Sequence, residues 1–137
     1  MVKVFLSYAP SDAGSAHQIA SAIEGAGHTV KLGRASIDVV DAGGRLAATV
    51  FAIKNCDVAV VALSPNAVKS SAIIDELMLA EQAYKPVIPL VLESMKLPPE
   101  IAKPLRYVRK IHCTGGLPSG VKGLLRALPK GCHPGMR

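Results

Sequence analysis

The chain of 137 residues has no tryptophan, and aromatic residues make up only 4% of it. Single-stranded nucleic-acid platforms need rings on which bases stack, so this shortage argues against that class. Its cysteines, Cys56, Cys113 and Cys132, are odd in number and include no CxxC pair. Such a set fits reduced thiols in the cytosol better than a disulfide framework. His112-Cys113 and Cys132-His133 stand far apart in different segments and are not read as a zinc site. No apolar run approaches the ~18 residues of a membrane span. Met1 to Tyr8 is too short for the apolar core of a signal peptide. There is no GxGxxG and no Walker loop, hence no standard phosphate cradle. Ser64 has no GxSxG around it, and neither His17 nor His28 has an evident nucleophile partner, which argues against a serine hydrolase. Acids are scarce beyond residue 95: Glu100 stands alone against Lys96, Lys103, Arg106, Arg109, Lys110, Lys122, Arg126, Lys130 and Arg137. Much of the net charge of +6 lies there. It is read as a solvated basic end that could attract an acidic partner, rather than as a nucleic-acid site.

Half of the chain is apolar, mostly Ala, Val, Ile and Leu, enough to bury a core in one domain. Strands are expected at 2–7, 28–32, 57–63, 86–92 and 107–112. Helices are expected at 16–26, 45–54, from the turn at Ser64-Pro65-Asn66 to about Tyr84, and at 118–128, with a helical turn near Ile101. Ser11 or Asp12 is placed to cap the first helix. Gly33 to Gly44 reads as one long irregular stretch, a length that is often functional. Pro89 inside the fourth strand is a conflict, since proline cannot donate to a ladder. The domain ends near residue 128, and the Gly/Pro-rich tail 129–137 is expected to fray. Alternating strands and helices imply a doubly wound parallel α/β sheet with helices on both faces. Ligands bind such sheets beyond the carboxyl ends of the strands, which brings Ser7-Tyr8, Gly33-Arg34 and Ser64-Pro65 towards any site.

On the helix after the third strand, a step of about 100° per residue groups Ile73, Leu77, Ala80 and Tyr84 into a core stripe. Glu76 sits at its shoulder beside Ala72, Ala80 and Ala83, small residues that leave room for something to approach. Asp75 and Gln82 point to the wet face. Periodicity alone reads Glu76 first as an ordinary glutamate on a solvated edge, as Glu81 is on the opposite shoulder. Arg34 and Arg45 bracket the long stretch, each able to meet a phosphate or to stay a solvated charge. Gly43-Gly44 is either a hinge or a helix-start turn.

Six passages in order resemble one family. Val4-Phe5-Leu6-Ser7-Tyr8 followed by Asp12 is similar to the first box of Toll/interleukin-1-receptor (TIR) domains. Ile23-Glu24-Gly25-Ala26-Gly27-His28-Thr29-Val30 is similar to the family's Leu-Glu-x-x-Gly-x-x-Val passage. The stretch ending at Gly43 resembles the BB loop. Ile53-Lys54-Asn55-Cys56-Asp57-Val58 through Leu63-Ser64 resembles Ile-x-x-Ser-Asp to Leu-Ser. Ser71 to Glu76, then Leu77 and Ala80, resembles Ser-Trp-Cys-x-x-Glu-Leu-x-x-Ala. Pro86-Val87-Ile88-Pro89 matches the x-Val-Ile-Pro strand, which eases the conflict at Pro89. The resemblance spans roughly residues 2 to 128.

It implies a flavodoxin-like five-stranded parallel sheet in the order 2-1-3-4-5. It also implies NAD+ cleavage, as in many bacterial members, to ADP-ribose or a cyclic product. The helix glutamate would be the catalytic carboxylate, here Glu76. Ser7, Tyr8, Gly33, Arg34, Ser64 and Ser71 would bind substrate. Ile37, Asp38, Val39, Val40, Asp41 and Gly43 would form an assembly loop for homotypic self-association, with a separate sensor or fused domain and a role in bacterial antiphage immunity. NAD+ enters as substrate, with no metal and no other cofactor. The chain departs from the pattern at Ala72-Ile73, where the family has Trp-Cys, and its loop lacks the usual Trp. Ring stacking on the substrate would then fall to Tyr8, Phe5 or a neighbouring molecule. A non-catalytic TIR adaptor keeps the same fold and makes Glu76 structural. A phosphoacceptor receiver domain shares the sheet order. It needs paired acids after the first strand and an Asp after the third, where this chain has Ser7-Tyr8 and Leu63-Ser64. A nucleoside deoxyribosyltransferase-like enzyme is a further outsider.

Overall fold

The computed structural model describes residues 2–33, 42–113 and 115–128, with side chains left out over 42–48. Five strands, β1 (Lys3–Ser7), β2 (Thr29–Leu32), β3 (Val58–Leu63), β4 (Val87–Val91) and β5 (Ile111–His112), form one parallel sheet in the order β2-β1-β3-β4-β5. The helices are α1 (Ala13–Gly25), α2 (Ala42–Asn55), α3 (Ser71–Gln82), the short α4 (Pro99–Ala102) and α5 (Leu117–Ala127). This is the flavodoxin-like architecture that the sequence implied.

The period of two along each strand divides the core. Val4 and Leu6 of β1, with Val58, Val60 and Ala62 of β3, pack in one cluster with Ile19 and Ile23 of α1 and Leu124 of α5. Phe5 and Ala59 face the other way, onto Ile53 of α2 and Ala80 of α3. Val61 and Leu63 share that second face with Ile73 and Leu77 of α3. Helices therefore cover both sides of β3, which is why Val-Ala-Val-Val-Ala-Leu is apolar throughout and wholly buried.

Pro89 sits inside β4 opposite Val61. The ladder explains how. Pro86 O accepts from Ala59 N (2.9 Å) and Leu92 N donates to Leu63 O (2.8 Å), so the even-numbered backbone groups of β4 face β3. Val91 O accepts from Cys113 N (2.9 Å), so the odd ones face β5. β5 pairs only from Leu90↔Ile111 onward, so the donor that Pro89 lacks points past the start of that strand.

Several boundaries differ from the expectation. The helix after β3 is two elements, a 3-10 turn at Ala67–Lys69 and then α3, capped by Ser70 Oγ accepting from Ile73 N (3.4 Å). It stops at Gln82: Tyr84 takes φ +57°, with Tyr84 N donating to Glu81 O and Lys85 N to Ala80 O. This is a Schellman closure with tyrosine where glycine is usual. Tyr84 is therefore 94% exposed and leaves the core stripe. Asp12 holds the N-cap position of α1, yet neither it nor Ser11 caps through a side chain. α2 begins at Ala42, so Gly43 and Gly44 lie in its first turn rather than in an irregular stretch. β5 is two residues long rather than six. The expected tail 129–137 lies outside the described residues.

Cys56 and Cys113 are buried free thiols. Burial pushes both thiols up, and at Cys56 Lys85 offsets part of the rise while Asp57 adds to it. The folded state thus holds these protons more tightly than the unfolded chain does. The resulting stability is full below the ordinary thiol range and is lost as pH climbs through the folded values. At neutral pH, iodoacetamide should alkylate both thiols much more slowly in the native chain than in denaturant, read by mass spectrometry of the labelled peptides. Equal rates would contradict the buried placement.

Candidate active site

The parity of β1 settles which of its last residues reach the site. Phe5 and Ser7 point to the α2/α3 side, whereas Tyr8 follows Val4 and Leu6 to the α1/α5 side. Ser7 is 1% exposed, and its Oγ donates to Glu76 Oε1. Gly33 takes the next rung after β2, its N–H donating to Leu6 O at 2.7 Å. A Cβ on Gly33 would lie 2.8 Å from Glu76 Oε1, 3.2 Å from Oε2 and 3.1 Å from Leu6 O. Only a residue without a side chain lets the carboxylate lie against the strand end this closely.

Glu76 is 2% exposed, on the inner face of α3 with Ile73, Leu77 and Ala80. Burying a carboxylate costs several kcal/mol unless hydrogen bonds and charges compensate it. The Ser7 hydroxyl supplies part of that compensation. The solvated-edge reading of Glu76 is thereby replaced: the carboxylate is an inward group at the carboxyl ends of β1 and β2, where doubly wound sheets hold their ligands.

The other expected site residues divide. Tyr8 is 2% exposed and packs in the α1/α5 core, and Phe5 is buried beneath α2 and α3, so in this conformation neither ring is open for a ligand to stack on. Ser64 is buried after β3. Its hydroxyl donates to Asp12 Oδ2 and accepts from Ala67 N (3.1 Å), and beside it Asn66 Nδ2 donates to Ser11 Oγ (3.0 Å). These bonds tie the loop after β1 to the loop after β3, a frame that the sequence reading missed. Ser71 is exposed at the first turn of α3, five residues before Glu76, and so about 7.5 Å from it along the helix axis. Arg34, Ile37, Asp38, Val39, Val40 and Asp41 lie outside the described residues, and Gly43 belongs to α2.

Among the described residues no group of three or more His, Cys, Asp or Glu side chains could hold a metal ion. None of the described helices is long and apolar enough to cross a membrane. Part of the basic excess gathers around a cavity of about 550 Å³ between β4, β5 and α5, where Arg109, Lys110 and Arg126 surround Val87, Ile88 and Ile111.

The sequence profile of the TIR domain matches residues 4–121. Curated protein sequences yield no match. Among solved structures, a CMP N-glycosidase from Clostridium botulinum, BcmB, is 18% identical with a TM-score of 0.69, over 90% of this chain and 98% of that one. The TIR domain of the Toll-related receptor TRR-2 from Hydra magnipapillata is 19% identical with a TM-score of 0.69, over 92% and 97%. The TIR domains of the activated Roq1 resistosome, which recognises a pathogen effector, are 15% identical with a TM-score of 0.68, over 92% and 98%. At these identities the likeness is one of fold.

Proposed function

This chain belongs to the TIR-domain family, and from that premise we propose that it is an NAD+ nucleosidase with Glu76 as its catalytic carboxylate. The observation that carries the reading is the buried Glu76 carboxylate, held by Ser7 against the bare backbone of Gly33 at the carboxyl ends of the strands. The fold likeness to a CMP N-glycosidase supports the reaction class, cleavage of an N-glycosidic bond to ribose.

In NAD+ the bond between ribose C1′ and the nicotinamide nitrogen breaks with its electron pair going to the ring, which leaves neutral. No general acid is needed. The difficulty is the positive charge left on the ribose, and a fixed carboxylate lowers it as in glycoside cleavage. Water then attacks C1′, loses a proton to solvent and gives ADP-ribose. Attack by a nitrogen of the substrate's own adenine, or by a ribose hydroxyl, gives a cyclic product.

Glu76 is closed to solvent in the single chain. A substrate reaches it only after a rearrangement, and self-association is the trigger we assign. The assembled state of the Roq1 TIR domains supports this. The segment Ile37 to Asp41, with Gly43 after it, is the proposed contact between copies. Asp38 and Asp41 carry the charge that a cavity with Arg109 and Arg126 on its rim attracts. The biological setting that fits is cytoplasmic antiphage defence, with a separate sensor as activator. The test is a dilution series: NAD+ loss per chain should rise steeply with protein concentration or a crowding agent. A dilute monomer with the same specific rate as assembled material would refute activation by assembly.

The adaptor reading has one observation on its side. Phe5 and Tyr8 are both spent on the core, so ring stacking must come from elsewhere. It predicts assembly with no NAD+ loss at any concentration.

A further inference from the structure

The sequence reading put Ser7 in the wall that binds substrate, and the geometry points to a different role. A serine hydroxyl has a single proton to donate. Ser7 gives it to Glu76 Oε1, from a position only 1% exposed at the end of β1. While that bond stands, Ser7 cannot also donate to a ribose hydroxyl.

A glutamate needs such a partner if its carboxylate is to be fixed. The last side-chain torsion of Glu is broad and only loosely two-fold, so an unrestrained carboxylate samples many planes. Among the described residues, Ser7 and Gly33 restrict it. The Ser7 hydroxyl draws Oε1 to the strand end, and the absence of a side chain at Gly33 opens the slot in which both oxygens lie. Both neighbours come from strand ends that rigid ladders position, Ser7 opposite Val61 and Gly33 bonded to Leu6 O. Resting on the nucleosidase reading above, we infer that Ser7 is a positioning residue: it acts on catalysis only through Glu76, by setting the plane and place of the carboxylate before substrate arrives.

The experiment combines kinetics and stability on the full chain under assembling conditions, with NAD+ as substrate, using Ser7→Ala, Glu76→Ala and the double variant. A misplaced catalytic group costs up to about 100-fold in rate. Ser7→Ala should therefore lower kcat roughly 10- to 100-fold and leave KM within about two-fold of wild type, as for an interaction expressed in the transition state. Its thermal midpoint should fall against wild type. In the Glu76→Ala background the same change should cost nothing, because the hydroxyl there has already lost its acceptor. A rise in KM with kcat intact overturns the inference in favour of direct substrate contact. An equal loss of thermal midpoint in both backgrounds overturns it as well, because Ser7 and Glu76 would then be uncoupled. If wild type itself leaves NAD+ intact, the nucleosidase reading fails first and takes this role with it, a failure visible before any variant is compared.

Discussion

Exchanging Glu76 for glutamine is expected to cut NAD+ cleavage by the assembled chain at least about 100-fold with the fold intact. The substitution keeps the shape of the side chain and an oxygen that can still accept from the Ser7 hydroxyl. It removes the negative charge on which the proposed mechanism relies. Fixed groups that stabilise developing charge in water-excluded sites are each worth about 10²–10³ in rate. Glutamine keeps the shape of the side chain and the acceptor for Ser7, and the thermal midpoint read alongside separates a loss of chemistry from a loss of fold. A thermal midpoint within about 5 °C of wild type is expected, the scale of a ~1 kcal/mol change in a domain of this size. Retained activity in the variant would mean that the carboxylate does not carry the chemistry.

The second large effect concerns the other end of the sheet. A Cβ on Gly120 would lie 2.2 Å from Cys113 Sγ, 3.1 Å from its Cβ and 3.3 Å from its Cα. The sulfur could turn aside, but the backbone atom after β5 cannot, so α5 would have to shift by a few tenths of an ångström against the core that Val121, Leu124 and Leu128 fill. Two effects oppose each other in Gly120→Ala. Helix propensity favours alanine by about 1 kcal/mol. Overpacking typically costs about 1–3 kcal/mol, and here the Cβ and Cα of Cys113 at 3.1 and 3.3 Å stay in the way even when the sulfur turns. The clash should win, with a thermal midpoint lowered by at least about 5 °C. Cys113→Ala removes the nearest atom and should recover part of the loss in the double variant. A Gly120→Ala chain more stable than wild type would show that α5 does not pack this tightly.

How much was legible follows from the range of the interactions. The strand at 2–7 and the all-apolar run of β3 are local patterns, and they were legible in the sequence. The inward side of α3 was legible for Ile73, Leu77 and Ala80. It misled at Tyr84, because a helical wheel does not register a helix that ends without glycine. Glu76 was singled out by family resemblance, its place on that wheel reading first as a solvated edge, and its burial was not legible. The groups that enclose it arrive from β1, 69 residues away, and from the end of β2. The Ser64–Asp12 bond spans 52 residues and was hidden for the same reason, so the place of Ser64 in that frame did not show. Pro89 was a conflict that the resemblance eased without a reason, and the ladder supplies it, with the missing donor aimed past the start of β5. One signal was available and unused: Gly120 inside a helix, where glycine weakens the element unless close packing requires it.

The central claim is that this chain breaks the nicotinamide–ribose bond. Its most direct test is to incubate NAD+ with the wild-type chain at high concentration and follow free nicotinamide by chromatography, with the ribose-containing product identified by mass. The account predicts nicotinamide in step with NAD+ loss, matched one for one by ADP-ribose or a cyclic form of it. A chain that assembles fully and leaves NAD+ untouched would contradict it.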